Sequence, residues 1–247
     1  MSNNSLKNKN ILVSGATRGI GLSIALMLSK LGAHVIGTST SKYGSEKISE
    51  ILSCYKGEGV ILNINSVESI NKLLNHLVKK NKKPHILINN AGIVKDCLSI
   101  KMKEENFINV INTNLISVFM LSKKILPFMI KNKWGRIINI TSVVGSIGNI
   151  GQANYASSKS GLNGLSKSLA KELGKRNITV NCISPGFIYT EMTKYLDKYK
   201  KMKLLQDIPL GRFGKPDDVS KAVAFIASDE SEYITGTTIH INGGIYM

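Results

Sequence analysis

Short apolar runs and longer segments of helical spacing alternate along this chain almost without a break. The run at 11–14 is followed at once by a glycine-rich stretch, 15–21, and Ile20, Ile24, Leu28 and Leu31 then recur close to helical spacing. The chain therefore opens as strand, glycine turn and helix. Further strands are predicted at 34–37, 60–64, 84–89, 135–142, 178–184 and 238–241. Helices are predicted at 47–54, from a cap at Ser66 to about residue 80, at 104–131 as two helices or one bent one, at 154–175 and at 216–228. Short, continuously apolar strands returned by helices belong to a parallel sheet covered on both faces. The pattern predicts one doubly wound α/β domain over residues 1–247, with a mainly parallel, seven-stranded sheet. The irregular, charged stretch 187–210 is expected to be a substrate flap within that domain.

Composition adds a few exclusions. An apolar fraction of 43% supports a sizeable core. Cys54, Cys97 and Cys182 form no C-x-x-C pair, and His34, His76, His85 and His240 are scattered, so neither a disulfide framework nor a metal site is expected. No uninterrupted apolar run reaches the ~18–20 residues of a membrane span. The first ten residues are polar and lack a signal-peptide core, so a cytoplasmic enzyme is expected. The formal charge of +17 allows three readings: solvated lysine-rich helix faces, a phosphate-tracking surface, or attraction to an acidic protein. The lysines fall in ones, twos and threes without interleaved aromatics, so no nucleic-acid or membrane partner is expected.

Two places carry chemistry. Gly15, Gly19 and Gly21, at a strand-to-helix turn with Thr17, Arg18 and Ile20 between them, are placed to let backbone N–H groups approach a pyrophosphate. The end of the second strand, Gly37-Thr38-Ser39-Thr40-Ser41, has no acid to hold ribose hydroxyls. An acid would repel a 2′-phosphate, whereas these hydroxyls and Arg18 would accept one, so NADPH is the expected cofactor. The second place is Ser142, at a strand's end, with Tyr155 and Lys159 four residues apart on one helix face. Tyrosine, with a pKa of about 10, is a poor acid–base group near neutrality unless its anion is stabilised, and Lys159 can supply that.

Taken in order, Gly15–Gly21, Asn89-Asn90-Ala91-Gly92, Asn114, Ser142, Tyr155-x-x-x-Lys159 and Pro185-Gly186 closely resemble the short-chain dehydrogenase/reductase superfamily, with its Rossmann-type fold. Within it the chain looks most like the bacterial 3-oxoacyl-[acyl-carrier-protein] reductases. Ser14 stands where the superfamily usually has Thr, and Asn63 where an Asp commonly precedes the adenine contact at Ile64. The resemblance implies reduction of a 3-oxoacyl group on acyl carrier protein by NADPH. Ser142 would polarise the carbonyl, Tyr155 would protonate it, Lys159 would hold the nicotinamide ribose, and Asn114 would hold a water that relays protons. It also places Thr38, Asn63, Ile64, Asn90, Ala91, Gly92, Pro185, Gly186, Ile188 and Thr190 against the cofactor. Asn90, Ala91 and Gly92 either meet the cofactor or only support the sheet. Asn149 and Gln152 either line the acyl channel or hydrogen-bond their own loop. Phe187, Met192 and Leu196 are acyl-chain or core residues. Lys133, Arg136 and Arg176 are candidates for a basic rim that docks the acidic carrier protein, Lys133 and Arg176 foremost. A homotetramer is implied, through 104–131 and 154–175 and through the C-terminal segment. Enoyl reductases are disfavoured, since that class spaces its Tyr and Lys more widely. The alternatives are a reductase for CoA esters, sugars or other ketones, or a basic scaffold or nucleic-acid-binding protein that kept the fold.

Overall fold

The computed structural model describes residues 5–190 and 198–247. Seven strands, β1 (Asn10–Val13), β2 (His34–Ser39), β3 (Glu58–Ile61), β4 (Ile86–Asn89), β5 (Gly135–Ile140), β6 (Ile178–Pro185) and β7 (Thr238–Ile241), form one sheet in the order β3-β2-β1-β4-β5-β6-β7. Every pairing between them is parallel. The helices are α1 (Gly19–Lys30), α2 (Lys42–Leu52), α3 (Val67–Lys79), α4 (Glu104–Ile111), α5 (Ser117–Asn132), the short α6 (Val144–Ile147), α7 (Ala153–Leu173), α8 (Lys198–Gln206) and α9 (Pro216–Ala227).

Because successive strand side chains point to opposite faces, one set of strands feeds two cores. Ile11, Val13, Ile86, Ile88 and Ile138 pack against α1, α2 and α9. Leu12, Ile36, Leu87, Ile137 and Val180 pack against α3, α5 and α7. This two-faced burial is the reason the strands read as continuous apolar runs.

The element boundaries shift from the predicted ones for local reasons. α2 starts five residues before the predicted helix, because the Ser41 hydroxyl accepts from Gly44 N–H and caps it. β3 lies at Glu58–Ile61, not 60–64: Asn63 N–H donates to Ser69 Oγ and its side chain accepts from Asn65 N–H, turning the chain away. Ser66 caps α3 as expected, accepting from Ser69 N–H. Between α4 and α5 the helix widens into a π turn, Asn112–Ile116, which is the bend in the predicted 104–131 region.

Glu104–Asn132 is the one helical run among the described residues that is long and apolar enough to cross a membrane by length and composition. Its Val110, Val118, Leu121, Ile125 and Met129 are buried in this fold, and Lys123 and Lys124 interrupt its outer face. It is built as a core helix.

Candidate active site

The C-terminal ends of β1, β2, β4, β5 and β6 open on one edge of the sheet, and strand order reverses between β1 and β4. A crevice at such a reversal is where open α/β sheets take their ligands. Ser14 ties the two sides of it together. Its hydroxyl donates to Ile88 C=O at 3.3 Å and accepts from the N–H groups of Asn90 and Ala91, each at 3.0 Å. That uses the full capacity of a hydroxyl. Asn90 in turn donates both amide hydrogens, to Ser14 C=O and Gly15 C=O.

The glycine turn cannot be built from other residues. Gly15 and Gly19 have φ of +68° and +56°, where side chains are strained. A Cβ on Gly21 would collide with Gly15 C=O and the Asn90 side chain. The turn leads directly into α1 with Arg18, exposed, at its N-cap. Exposed backbone at a helix N-terminus beside glycines is a cradle suited to a dinucleotide pyrophosphate. Thr38 lies behind the loop, buried, with Gly15 N–H donating to its Oγ1 at 3.3 Å. Thr40 and Ser41 are the exposed hydroxyls at that strand end. Thr17 is half-buried, against the position a Gly44 side chain would take. A Cβ on Gly19 would come within 3.4 Å of Thr190 Cγ2, so the chain leaving β6 folds over the glycine turn. Pro185 ends β6, Gly186 N–H donates to Ile241 C=O, and Ile188 is buried where the chain bridges to Gly214. Ile64 is buried and Asn63 exposed beside it. Phe187 packs its ring against Phe213. Met192 and Leu196 lie outside the described residues.

Ser142, Tyr155 and Lys159 come together beyond the end of β5. The Ser142 hydroxyl lies near enough to Tyr155 to favour its ionised form. Burial raises the Tyr155 pKa above its ordinary value; the Ser142 bond opposes that, and the negative charge of Asp96 adds to it. Lys159 is buried, with Nζ 5.6 Å from the Tyr155 ring centre and donating to Ile140 C=O at 2.8 Å. Burial pulls its pKa down from 10.5 to about 8. Asn114 sits in the π turn, fully buried: Oδ1 accepts from Ile93 N–H, and Nδ2 donates to Ile93 C=O and Ser158 Oγ. A Cβ on Gly92 would stand 3.1 Å from Asn114 Oδ1 and 3.6 Å from Lys159 Nζ. That glycine keeps the approach to the lysine open.

Asn149 and Gln152 are bonded within their own loop: Asn149 Nδ2 donates to Gln152 Oε1 at 2.8 Å. Gln152 Nε2 then donates to both carboxylate oxygens of Asp96, at 2.9 and 3.0 Å. Asp96 has no motif around it, and its only signal in the sequence is being the sole acid between Gly92 and Glu104.

The residues expected to form a basic rim lie away from this edge of the sheet. Lys133 precedes β5 and Arg176 precedes β6, so both stand at the N-terminal edge of the sheet. Ser142 lies past the other end of β5, roughly 20 Å away at about 3.3 Å per residue. Neither residue can border the cleft of its own chain. Arg136 is buried: its guanidinium stacks 4.4 Å from the Trp134 ring centre, with Lys9 Nζ 3.5 Å from the same ring, and Trp134 Nε1 donates to Asp229.

The fold and this site define an oxidoreductase that works with a nicotinamide cofactor. A family model described as enoyl-(acyl carrier protein) reductase matches residues 15–246. Curated relatives called 3-oxoacyl-[acyl-carrier-protein] reductase match along nearly the whole chain. The one from Haemophilus influenzae is 52% identical, covering 98% of this chain and all of that protein. Those from Pseudomonas aeruginosa and Escherichia coli are 50% and 49% identical, each over 98% of this chain and 99% and 98% of theirs. The chain belongs to the short-chain dehydrogenase/reductase family.

Proposed function

We propose that this protein reduces 3-oxoacyl-[acyl-carrier-protein] to the (3R)-3-hydroxyacyl form with NADPH, in type II fatty acid synthesis in the cytoplasm, as a homotetramer. The observation that carries the reaction is the meeting of Tyr155, Ser142 and the buried amine of Lys159. The named activity of relatives at half identity supports the substrate.

The glycine turn, Asn90–Gly92 and the segment from Pro185 to Thr190 would hold the dinucleotide, which supplies a hydride when bound. A substrate carbonyl oxygen between Ser142 and Tyr155 receives a hydrogen bond from each, so charge developing on it meets donors already in place. Tyr155 gives up its proton as general acid. Its raised pKa keeps the phenol loaded at neutral pH, and Lys159⁺ stabilises the phenolate left behind. Asn114, its amide engaged with Ile93 and Ser158, would hold the water that relays protons toward Lys159. For cofactor choice, Arg18 and the exposed Thr40 and Ser41 favour the 2′-phosphate.

The test is steady-state reduction of acetoacetyl-ACP, crossed with its CoA ester and with NADPH and NADH. Turnover with NADPH and ACP that vanishes in Tyr155→Phe supports the reading. No turnover in wild type, or a Tyr155→Phe variant as active as wild type, removes it. Crotonyl-ACP in the same assay tests the enoyl reduction that the family model's description suggests; the four-residue Tyr–Lys spacing leads us to expect none.

A further inference from the structure

Both backbone polar groups of Tyr155 are bonded to buried side chains of its own helix. Tyr155 N–H donates to Asn154 Oδ1 at 2.7 Å, and Asn154 Nδ2 donates to Lys95 C=O at 2.9 Å, on the segment after β4. At the other end, Ser158 Oγ donates to Tyr155 C=O at 2.8 Å and accepts from Asn114 Nδ2 at 3.2 Å. Asn114 in turn grips Ile93, two residues before Lys95, through both its N–H and its C=O. The bonds close a ring that runs from Tyr155 N–H through Asn154, the segment 93–95, Asn114 and Ser158 back to Tyr155 C=O. Asn114, Asn154 and Ser158 are all fully buried.

The first N–H groups of a helix have no partner within it, and Gln152, the N-cap residue of α7, supplies none from its side chain. Asn154 meets that need for Tyr155. Its oxygen must face the Tyr155 N–H, so its nitrogen is committed to the opposite side, toward Lys95. A cap requires only the first bond. The second ties the first turn of α7 to a separate segment, and Ser158 ties the same turn to the π turn. Each bond is shielded from water, so breaking one leaves a buried polar group unpaired. We infer that Asn154 is a positioning residue of the reduction, with Ser158 as its counterpart, the two fixing the Tyr155 backbone against the segment 93–95 so that the phenol stands at the substrate carbonyl. The inference rests on the reading of Tyr155 as the proton donor. Misplacing such a group by about 1 Å costs about 10²-fold in rate. The glycine turn that would hold the dinucleotide lies outside the ring, so binding there is spared.

The experiment measures kcat and KM for acetoacetyl-ACP reduction, NADPH binding and the urea midpoint in wild type, Asn154→Ala, Ser158→Ala and the double variant. We expect kcat to fall about 10- to 100-fold in each single variant, while KM and NADPH affinity change by less than about twofold. The double variant should be hardly slower than the slower single one, because a ring already open at one bond loses little at the next. Leu169→Ala, in the core contact of α7 well beyond the ring, is the control for stability: it should lower the urea midpoint and leave kcat unchanged. A wild-type kcat in Asn154→Ala or Ser158→Ala overturns the inference. So do losses that multiply in the double variant, or an equal loss in Leu169→Ala. Should Asn154→Ala fail to fold, Ser158→Ala decides alone, and an unchanged kcat there overturns the inference. No turnover in wild type removes the reductase reading and this inference with it, whereas turnover in wild type with unaffected variants removes this inference only.

Discussion

At the scale of single residues, the site combines groups that oppose stability with groups that use their burial. Lys159 is the clearest case. In the unfolded chain it titrates near 10.5, in the fold near 8. Below pH 8 both states carry the proton and the cost of burying the charge is full. Between 8 and 10.5 only the unfolded chain holds it, so stability rises with pH across that window. Lys159→Met should therefore abolish reduction yet make the cofactor-free protein more stable, by about 1–3 kcal/mol at pH 7. Urea titrations at pH 7 and pH 10 would show the gain shrinking at the higher pH. Tyr155→Phe should lower kcat by about 10²–10⁴-fold, the range for loss of a general acid, with little change in Tm. Arg18→Ala should raise KM for NADPH about tenfold while leaving that for NADH nearly unchanged, since only the former has a phosphate for a cation to hold.

At the scale of elements, the β-α alternation was legible because each strand is buried on both faces and each helix on one. The ordered site was legible for a related reason. Glycine is required wherever backbone meets backbone, as at Gly21 against Gly15, and a Tyr-x-x-x-Lys pair can share a cleft only on a helix. Gly21→Ala should accordingly cost roughly 1–3 kcal/mol through overpacking, read as a lower urea midpoint, and weaken NADPH binding further. What the sequence hid were pairings between distant segments of no fixed spacing. Asp96 meets Gln152 across 56 positions, and nothing around either residue announces it. Strand direction was also hidden: a residue before a parallel strand and a residue after it lie at opposite edges of the sheet, so Lys133 and Arg176 stand away from the cleft of their own chain.

At the scale of the whole molecule, α4, the π turn and α5 leave Ile108, Ile116 and Phe119 partly exposed, 48%, 48% and 39% respectively. The assembly we propose would cover them. Ile116→Glu with Phe119→Glu should shift sedimentation toward smaller species, while a tetramer unaffected by both charges would place the interface elsewhere. One further consequence belongs to Trp134, the chain's single tryptophan. In contact with Lys9 and Arg136, it is an emitter fixed at the floor of the sheet, a strand's length from the chemistry. Its fluorescence reports melting of the floor, while loss of turnover reports the cleft. Followed together in urea, the two signals divide the molecule into halves. Coincident curves would mean that floor and cleft unfold as one unit, and an earlier loss of turnover would mean that the cleft opens on a foundation still intact.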